Sequence, residues 1–270
     1  MVRILSILIL PILHCLKKEK LYTDGAIYAS TGENSYLFVN TLDGAGIFKS
    51  TDGGLTFSQL ASTDPSQNPN EGWTEVGKIA CDPTNANRIY AASSDGLKIS
   101  NDGGTSWTTE ISSGTGQDIV VTKSGAVWAK VGQRIWKSTD GSAGSFNEIT
   151  QAGGNTATSI GRTPDRMKIA VSPSDENYVY VLVTTGRVFD RVYQSTDGGT
   201  TWSVIGTRSA LLSMVDQSPF AVMIGVDPKD KERIIVGGLT MWEWSKDNGW
   251  FQIASQNSGS TNFYVHVTQS

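Results

Sequence analysis

The chain has 270 residues, long enough to bury a sizeable core. Its formal net charge is −4, which argues against a nucleic-acid binder, since such proteins usually carry a basic stripe. Only 18% of the residues are charged, while 29 glycines and 8 tryptophans suit short strands joined by tight turns.

The N-terminus places Arg3 before an apolar run from Ile4 to Leu13, followed by Lys17 and Lys18. A membrane-spanning helix needs about 20 apolar residues, so this run is too short to cross. It fits an export signal better, and residues 1–20 are read as a leader that implies a secreted or surface location. Cys15 lies within that leader, so no disulfide with Cys81 is expected; Cys81 reads as a small buried hydrophobe. Two cysteines and two histidines, His14 and His266, match no zinc spacing. No metal or cofactor motif occurs, and Ser, Cys or His nucleophile chemistry finds no partner histidine in the body of the chain.

From residue 21 onward one motif repeats. It runs Ser50-Thr-Asp52-Gly-Gly54-Leu-Thr-Phe57, then Ser100-Asn-Asp102-Gly-Gly104-Thr-Ser-Trp107, then Ser195-Thr-Asp197-Gly-Gly199-Thr-Thr-Trp202. Ser138-Thr-Asp140, closing on Phe146, is a copy with one extra residue, and Ser245-Lys-Asp247-Asn-Gly249 is a degenerate fifth copy. The aspartates stand 50, 38, 57 and 50 residues apart, the period of a four-stranded propeller blade. Several copies follow a hairpin signal: Ile79-Ala-Cys-Asp-Pro83 into Arg88–Ala92, Ile169-Ala-Val-Ser-Pro173 into Tyr178–Leu182, and Ile224-Gly-Val-Asp-Pro228 into Arg233–Gly237. The third repeat uses a shorter hairpin over 118–129, and the first turns at Thr23-Asp24-Gly25.

The second repeat shows one unit in full: strands near 78–81, 88–92, 97–100 and 106–111, an up-and-down meander without a helix. The repeats fall at roughly 21–60, 74–112, 118–150, 167–206 and 222–254, with a last strand at 261–268. The first repeat is short of an opening strand, which the last one would supply if the ring closes. The alternative is that these blades form part of a larger ring.

The motif has the chemistry of a turn. A carboxylate accepts backbone N–H groups a few residues on, glycine supplies positive φ, and the terminal aromatic returns the chain to the core. Asp52, Asp102, Asp140 and Asp197 are therefore expected to be structural. Each turn carries a single carboxylate, whereas a calcium loop needs several.

These segments resemble the Asp-box, or BNR, repeats of sialidase-type propellers. Paired with the upstream Pro hairpin, they also resemble sortilin/VPS10-type propellers, xyloglucanase-type glycosidases and photosystem II assembly-factor propellers. The resemblance spans roughly residues 21–253 and implies an all-β fold, a β-propeller of about five four-stranded antiparallel blades. It leaves function open, because the fold serves many activities.

In such a meander the Asp boxes share one face with the Pro hairpins. The other face gathers the long loops, where binding and catalytic residues concentrate on a rigid scaffold. Asp165, Asp190 and Asp216 are the candidate carboxylates there, since a glycosidase flanks its scissile bond with two of them. Trp73 is a candidate aromatic platform, and Arg162, Arg166, Arg187 and Arg191 are candidate ligand-binding cations. The Arg-Ile-Pro segment and arginine spacing of sialidases do not occur.

The leading expectation is a non-catalytic propeller that binds a protein or a carbohydrate ligand. The alternatives are a xyloglucanase- or sialidase-like glycoside hydrolase, and an assembly-factor-like chaperone whose arginines meet an acidic partner.

Overall fold

The structure, a computed structural model, describes residues 12–13, 25–32, 43–152, 156–163, 165–186, 188–209, 222–238 and 240–254. Among the described residues, twenty strands form five four-stranded antiparallel sheets, each a meander in chain order. The first sheet holds β1 (Ile12–Leu13), β2 (Ile27–Ser30), β3 (Ile47–Ser50) and β4 (Ser58–Gln59). The second holds β5 (Val76–Cys81), β6 (Ile89–Ser93), β7 (Gly96–Ser100) and β8 (Thr108–Ile111). The third holds β9 (Gly116–Val121), β10 (Val127–Val131), β11 (Arg134–Ser138) and β12 (Asn147–Glu148). The fourth holds β13 (Met167–Val171), β14 (Val179–Thr185), β15 (Val188–Ser195) and β16 (Ser203–Thr207). The fifth holds β17 (Met223–Val226), β18 (Arg233–Gly237), β19 (Met241–Ser245) and β20 (Gly249–Ala254). Each sheet is one blade of a β-propeller fold. One 3₁₀ turn, Ala61–Thr63, follows the first blade.

The second strand of each middle blade is buried, save for Thr185 at the end of β14, because neighbouring blades cover both of its faces. Those strands accordingly read as largely apolar or small runs, broken by Lys130 in β10, rather than as an alternation. The core is four clusters lying between successive blades rather than one centre.

The joints between blades share one direction. In each of the first four blades an aromatic at the second position of the second strand reaches the following blade. Tyr28 donates its hydroxyl to the Gly103 carbonyl at 3.1 Å, and Tyr90 donates to that of Gly141 at 3.0 Å. Trp128 meets Trp202 edge-on at 6.4 Å between centroids, and Tyr180 donates to the Lys231 carbonyl at 2.5 Å. Lysines of the third strand add to two joints: Lys49 Nζ lies 3.4 Å from the Gly103 carbonyl, and Lys137 Nζ lies 2.6 Å from that of Gly198.

The Ser-x-Asp turns close themselves. Ser50 donates to Asp52 at 2.7 Å and accepts the Gly54 N–H at 2.8 Å. The carboxylate of Asp52 then takes both the N–H and the hydroxyl of Thr56, at 3.0 and 2.6 Å. Ser106 and Thr201 stand in the place of Thr56 in their own copies. Hydrogen bonds from these hydroxyls are the main reason the carboxyls of Asp102 and Asp197 sit at about 2. The same contacts push that of Asp52 well below the ordinary carboxylate range. In the third copy the Ser142 N–H and hydroxyl take that role and hold Asp140 at about 2. The fifth copy differs. Ser245 Oγ accepts the Asn248 N–H at 3.3 Å, and Ser245 pairs directly with Gly249 across a tight hairpin.

Three expectations from the sequence change. The first blade does have an opening strand, because Ile12–Leu13 pairs antiparallel with β2 in the register Ile12↔Ser30 and Leu13↔Ala29. Cys81 is disulfide-bonded rather than a free thiol. Cys15, the other cysteine of the chain, lies outside the described residues. Finally, Phe57 does not return to a core. It is 38% exposed, and no described blade lies against it. Residues 261–268 lie outside the described residues, as do Thr23 and Asp24.

Candidate functional face

The loops between second and third strands share a face with the links between blades, and short hydrogen bonds stitch the two together. Gly132 N–H donates to the Thr115 carbonyl at 2.9 Å, and Thr163 N–H donates to that of Gln133 at 3.1 Å. Over the third and fourth blades this face carries the charged groups that the sequence singles out.

Asp165 is buried, and one of its carboxylate oxygens accepts the Gly186 N–H at the tip of the β14–β15 hairpin. Asp190 lies on β15 just past the same hairpin. It accepts the Thr185 hydroxyl at 3.3 Å and is forked by Arg191 at 3.1 and 3.2 Å. The hairpin thus brings Asp165 and Asp190 to one region, each already engaged. Asp216 and Arg187 lie outside the described residues.

Arg162 does not join Arg191. It grips Glu148 through two parallel hydrogen bonds of 2.7 and 2.9 Å, with Arg134 3.6 Å away on the same carboxylate. The Arg162 fork chiefly holds the Glu148 carboxyl below its ordinary value, and Glu148 in turn raises Arg162. Arg166 is half-buried, and its main-chain carbonyl accepts both the N–H and the hydroxyl of Thr184 at 3.0 Å. Trp73 is no platform. It is 1% exposed, lies edge-on to Trp107 at 5.2 Å, and is covered by Lys98 Nζ at 5.1 Å. A ring ahead of β5 is drawn under the second blade because its apolar area is worth more buried than wet.

Sequence reasoning missed the charges inside the array. Lys78, Asp118 and Lys168 occupy the same register position in the first strands of the second, third and fourth blades. Lys78 Nζ meets Asp118 Oδ1 at 2.6 Å, and Asp118 Oδ2 accepts the Ile169 N–H at 3.0 Å, so one carboxylate ties three blades together. Burial alone would raise the Asp118 carboxyl. The charges of Lys78 and Lys168, with the hydrogen bonds, outweigh burial and hold it below the usual range. Burial lowers Lys168 to about 8, with Asp118 opposing. Lys130 is buried between the third and fourth blades, donates to the Gly132 carbonyl, and is lowered by burial to about 7. The signal was available: each of the three register mates stands three residues before the end of an otherwise largely apolar first strand. Among the described residues, no helix is long and apolar enough to cross a membrane.

No family model matches the chain, and no curated protein matches it. Solved structures do. It is similar to a GH74 enzyme from Niastella koreensis, at 19% identity and a TM-score of 0.60, over 84% of this chain and 36% of that one. It is also similar to the GH74 xyloglucanase from Xanthomonas campestris, at 17% identity and a TM-score of 0.59, over 86% of this chain and 38% of that one. A third similar structure is YCF48 from Cyanidioschyzon merolae, at 15% identity and a TM-score of 0.50, over 84% and 68% of the two chains. Identities this low show a shared β-propeller fold, and the chain spans little more than a third of the length of the two GH74 enzymes.

Proposed function

We propose that this chain is a non-catalytic, extracytoplasmic Asp-box propeller that binds a protein or glycan through the loop-rich face over its third and fourth blades. The observation that carries this reading is the engagement of both described candidate carboxylates. A glycosidase needs one carboxyl that keeps its proton and another free to attack or to activate water. Asp190 is instead forked by Arg191, and Asp165 is buried on a backbone N–H. The face offers Arg134 and Arg162 around Glu148, and Arg191 beside Asp190, a partly exposed polar surface on rigid hairpins.

A second reading, a glycoside hydrolase, is favoured by the likeness to the two GH74 structures and by the approach of Asp165 and Asp190 to one hairpin. The test incubates the soluble chain with immobilised and free xyloglucan, β-glucans and sialosides. Retention without release of reducing ends or sialic acid is the expected outcome. Release that disappears in Asp165→Asn or Asp190→Asn would overturn the binding reading in favour of the hydrolase.

A further inference from the structure

The first strands of successive blades lie side by side: β5 beside β9, β9 beside β13, and β13 beside β17. They begin at the loop-rich face, since Met167 pairs with Val183 next to the β14–β15 hairpin and Val76 pairs with Ser93. Lys78, Asp118 and Lys168 fall within the first three residues of their strands, so all three stand close under that face. Both oxygens of Asp118 are taken. Oδ1 accepts Lys78 Nζ at 2.6 Å and the Ile119 N–H at 3.1 Å, and Oδ2 accepts the Ile169 N–H at 3.0 Å.

Lys168 has no such mate. It is only 9% exposed, yet among the described residues its ammonium has no hydrogen-bond acceptor and no carboxylate at ion-pair distance. The register explains why. Lys78 meets Asp118, which stands at the matching position in the first strand of the following blade. In the blade after Lys168 that position belongs to Met223, which pairs with Gly237 and carries no charge. A thioether is a weak acceptor, and an ammonium left buried without an acceptor is costly. The charges that reach Lys168 are two cations, Lys78 and Arg166, and one anion, Asp118. Even so, an amine held at about 8 keeps its proton at neutral pH. The place is accessible: the Lys78 side chain is 20% exposed, and every residue of β17 is only half-buried.

We propose that a small oxyanion, a carboxylate or phosphate group, binds at the inner edge of the array between β13 and β17, with Lys168 as its ligand and Lys78 and Arg166 as the charges that draw it in. The anion supplies to Lys168 what Asp118 supplies to Lys78. An ammonium brings three donors, and an oxyanion offers lone pairs in several directions to meet them. The site rests on the charges of these joints and not on the partner of the loop-rich face, so it stands whether or not a glycan is retained there.

The test is calorimetric titration of the full chain at neutral pH with sodium phosphate, sodium glucuronate and sodium chloride, all at matched ionic strength. Saturable binding of phosphate, of glucuronate or of both is expected, at one site per chain, with none for chloride. The two oxyanions separate a phosphate source from a carboxylate one. Lys168→Met removes the ligand and should weaken binding about tenfold or more. Met223→Glu keeps the lysine but gives it a carboxylate from the chain itself, and should weaken binding likewise. Circular dichroism checks that each variant folds, and Met223→Glu, at a half-buried position, carries the test if Lys168→Met does not. A parent that binds neither oxyanion saturably overturns the proposal. So does parent-like affinity in either folded variant.

Discussion

The first and fourth Ser-x-Asp turns have almost the same sequence and the same internal bonds, yet opposite surroundings. In both, the serine donates to the aspartate at 2.7 to 2.8 Å and accepts the second glycine N–H at 2.8 Å. In both, that glycine has φ of +91°. The fourth turn nevertheless lies against Trp128 and buries its own Trp202, while the first faces nothing and leaves Phe57 out. Local sequence therefore fixes the turn, and the neighbouring blade decides whether the turn contributes to the core.

The sharpest way to break this comparison is to remove the neighbour. Trp128→Ala should destabilise the chain by about 3–5 kcal/mol, as a large buried ring is lost and a cavity opens against Gly199 and Trp202. Phe57→Ala, at the matching aromatic of the unneighboured turn, should stay within about 0.5 kcal/mol of the parent. Urea midpoints measure both, and equal losses would mean that the two turns are packed alike.

A smaller effect separates the two glycines. Gly54→Ala meets only the left-handed backbone, at about 1–2 kcal/mol. Gly199→Ala meets the same backbone plus the Trp128 ring, and should cost about 1–3 kcal/mol more. The difference between the two variants, not either value alone, reports the neighbour, and it should vanish on a Trp128→Ala background.

A separate effect is one of pH. The interior joint between the third and fourth blades buries Lys130, whose ammonium burial lowers to about 7. The folded chain thus gives up this proton before the unfolded chain does. The unfolded state binds more protons from about pH 7 up to the ordinary lysine value, so stability should rise with pH across that window. The penalty is present in full below about 7 and is released above it. Lys130→Met should flatten the rise in urea midpoint between pH 7 and the alkaline limit; an unchanged slope would assign it to another group.

Much of this was legible in the sequence. The recurring Asp-Gly-Gly turn and the Pro hairpins mark all four strands of the second blade to within two or three residues, because turns are local chemistry. Contacts between blades were not legible, since they join residues some 34 to 75 positions apart. Trp73 reads as a loop aromatic until a lysine and a second tryptophan are seen to enclose it. The third member of the first, second and fourth Ser-x-Asp clusters, Thr56, Ser106 and Thr201, could have been found as a hydroxyl four residues after the aspartate. The candidate site was legible only as a region: the loops are right, but Asp165 being buried and Arg162 turning to Glu148 depend on side chains from other strands.

The one-way joints also bear on how such a chain is made. Every sheet is a meander complete in chain order, so its pairings are short-range and need little loop closure. Tyr28 emerges from the ribosome well before the Gly103 carbonyl it will hold, Tyr90 before that of Gly141, and Tyr180 before that of Lys231. In each of the first four blades the newest finished sheet shows a ring that the next piece of polypeptide will meet. Growth from the N-terminus adds blades to a prepared surface, as masonry is laid course upon course.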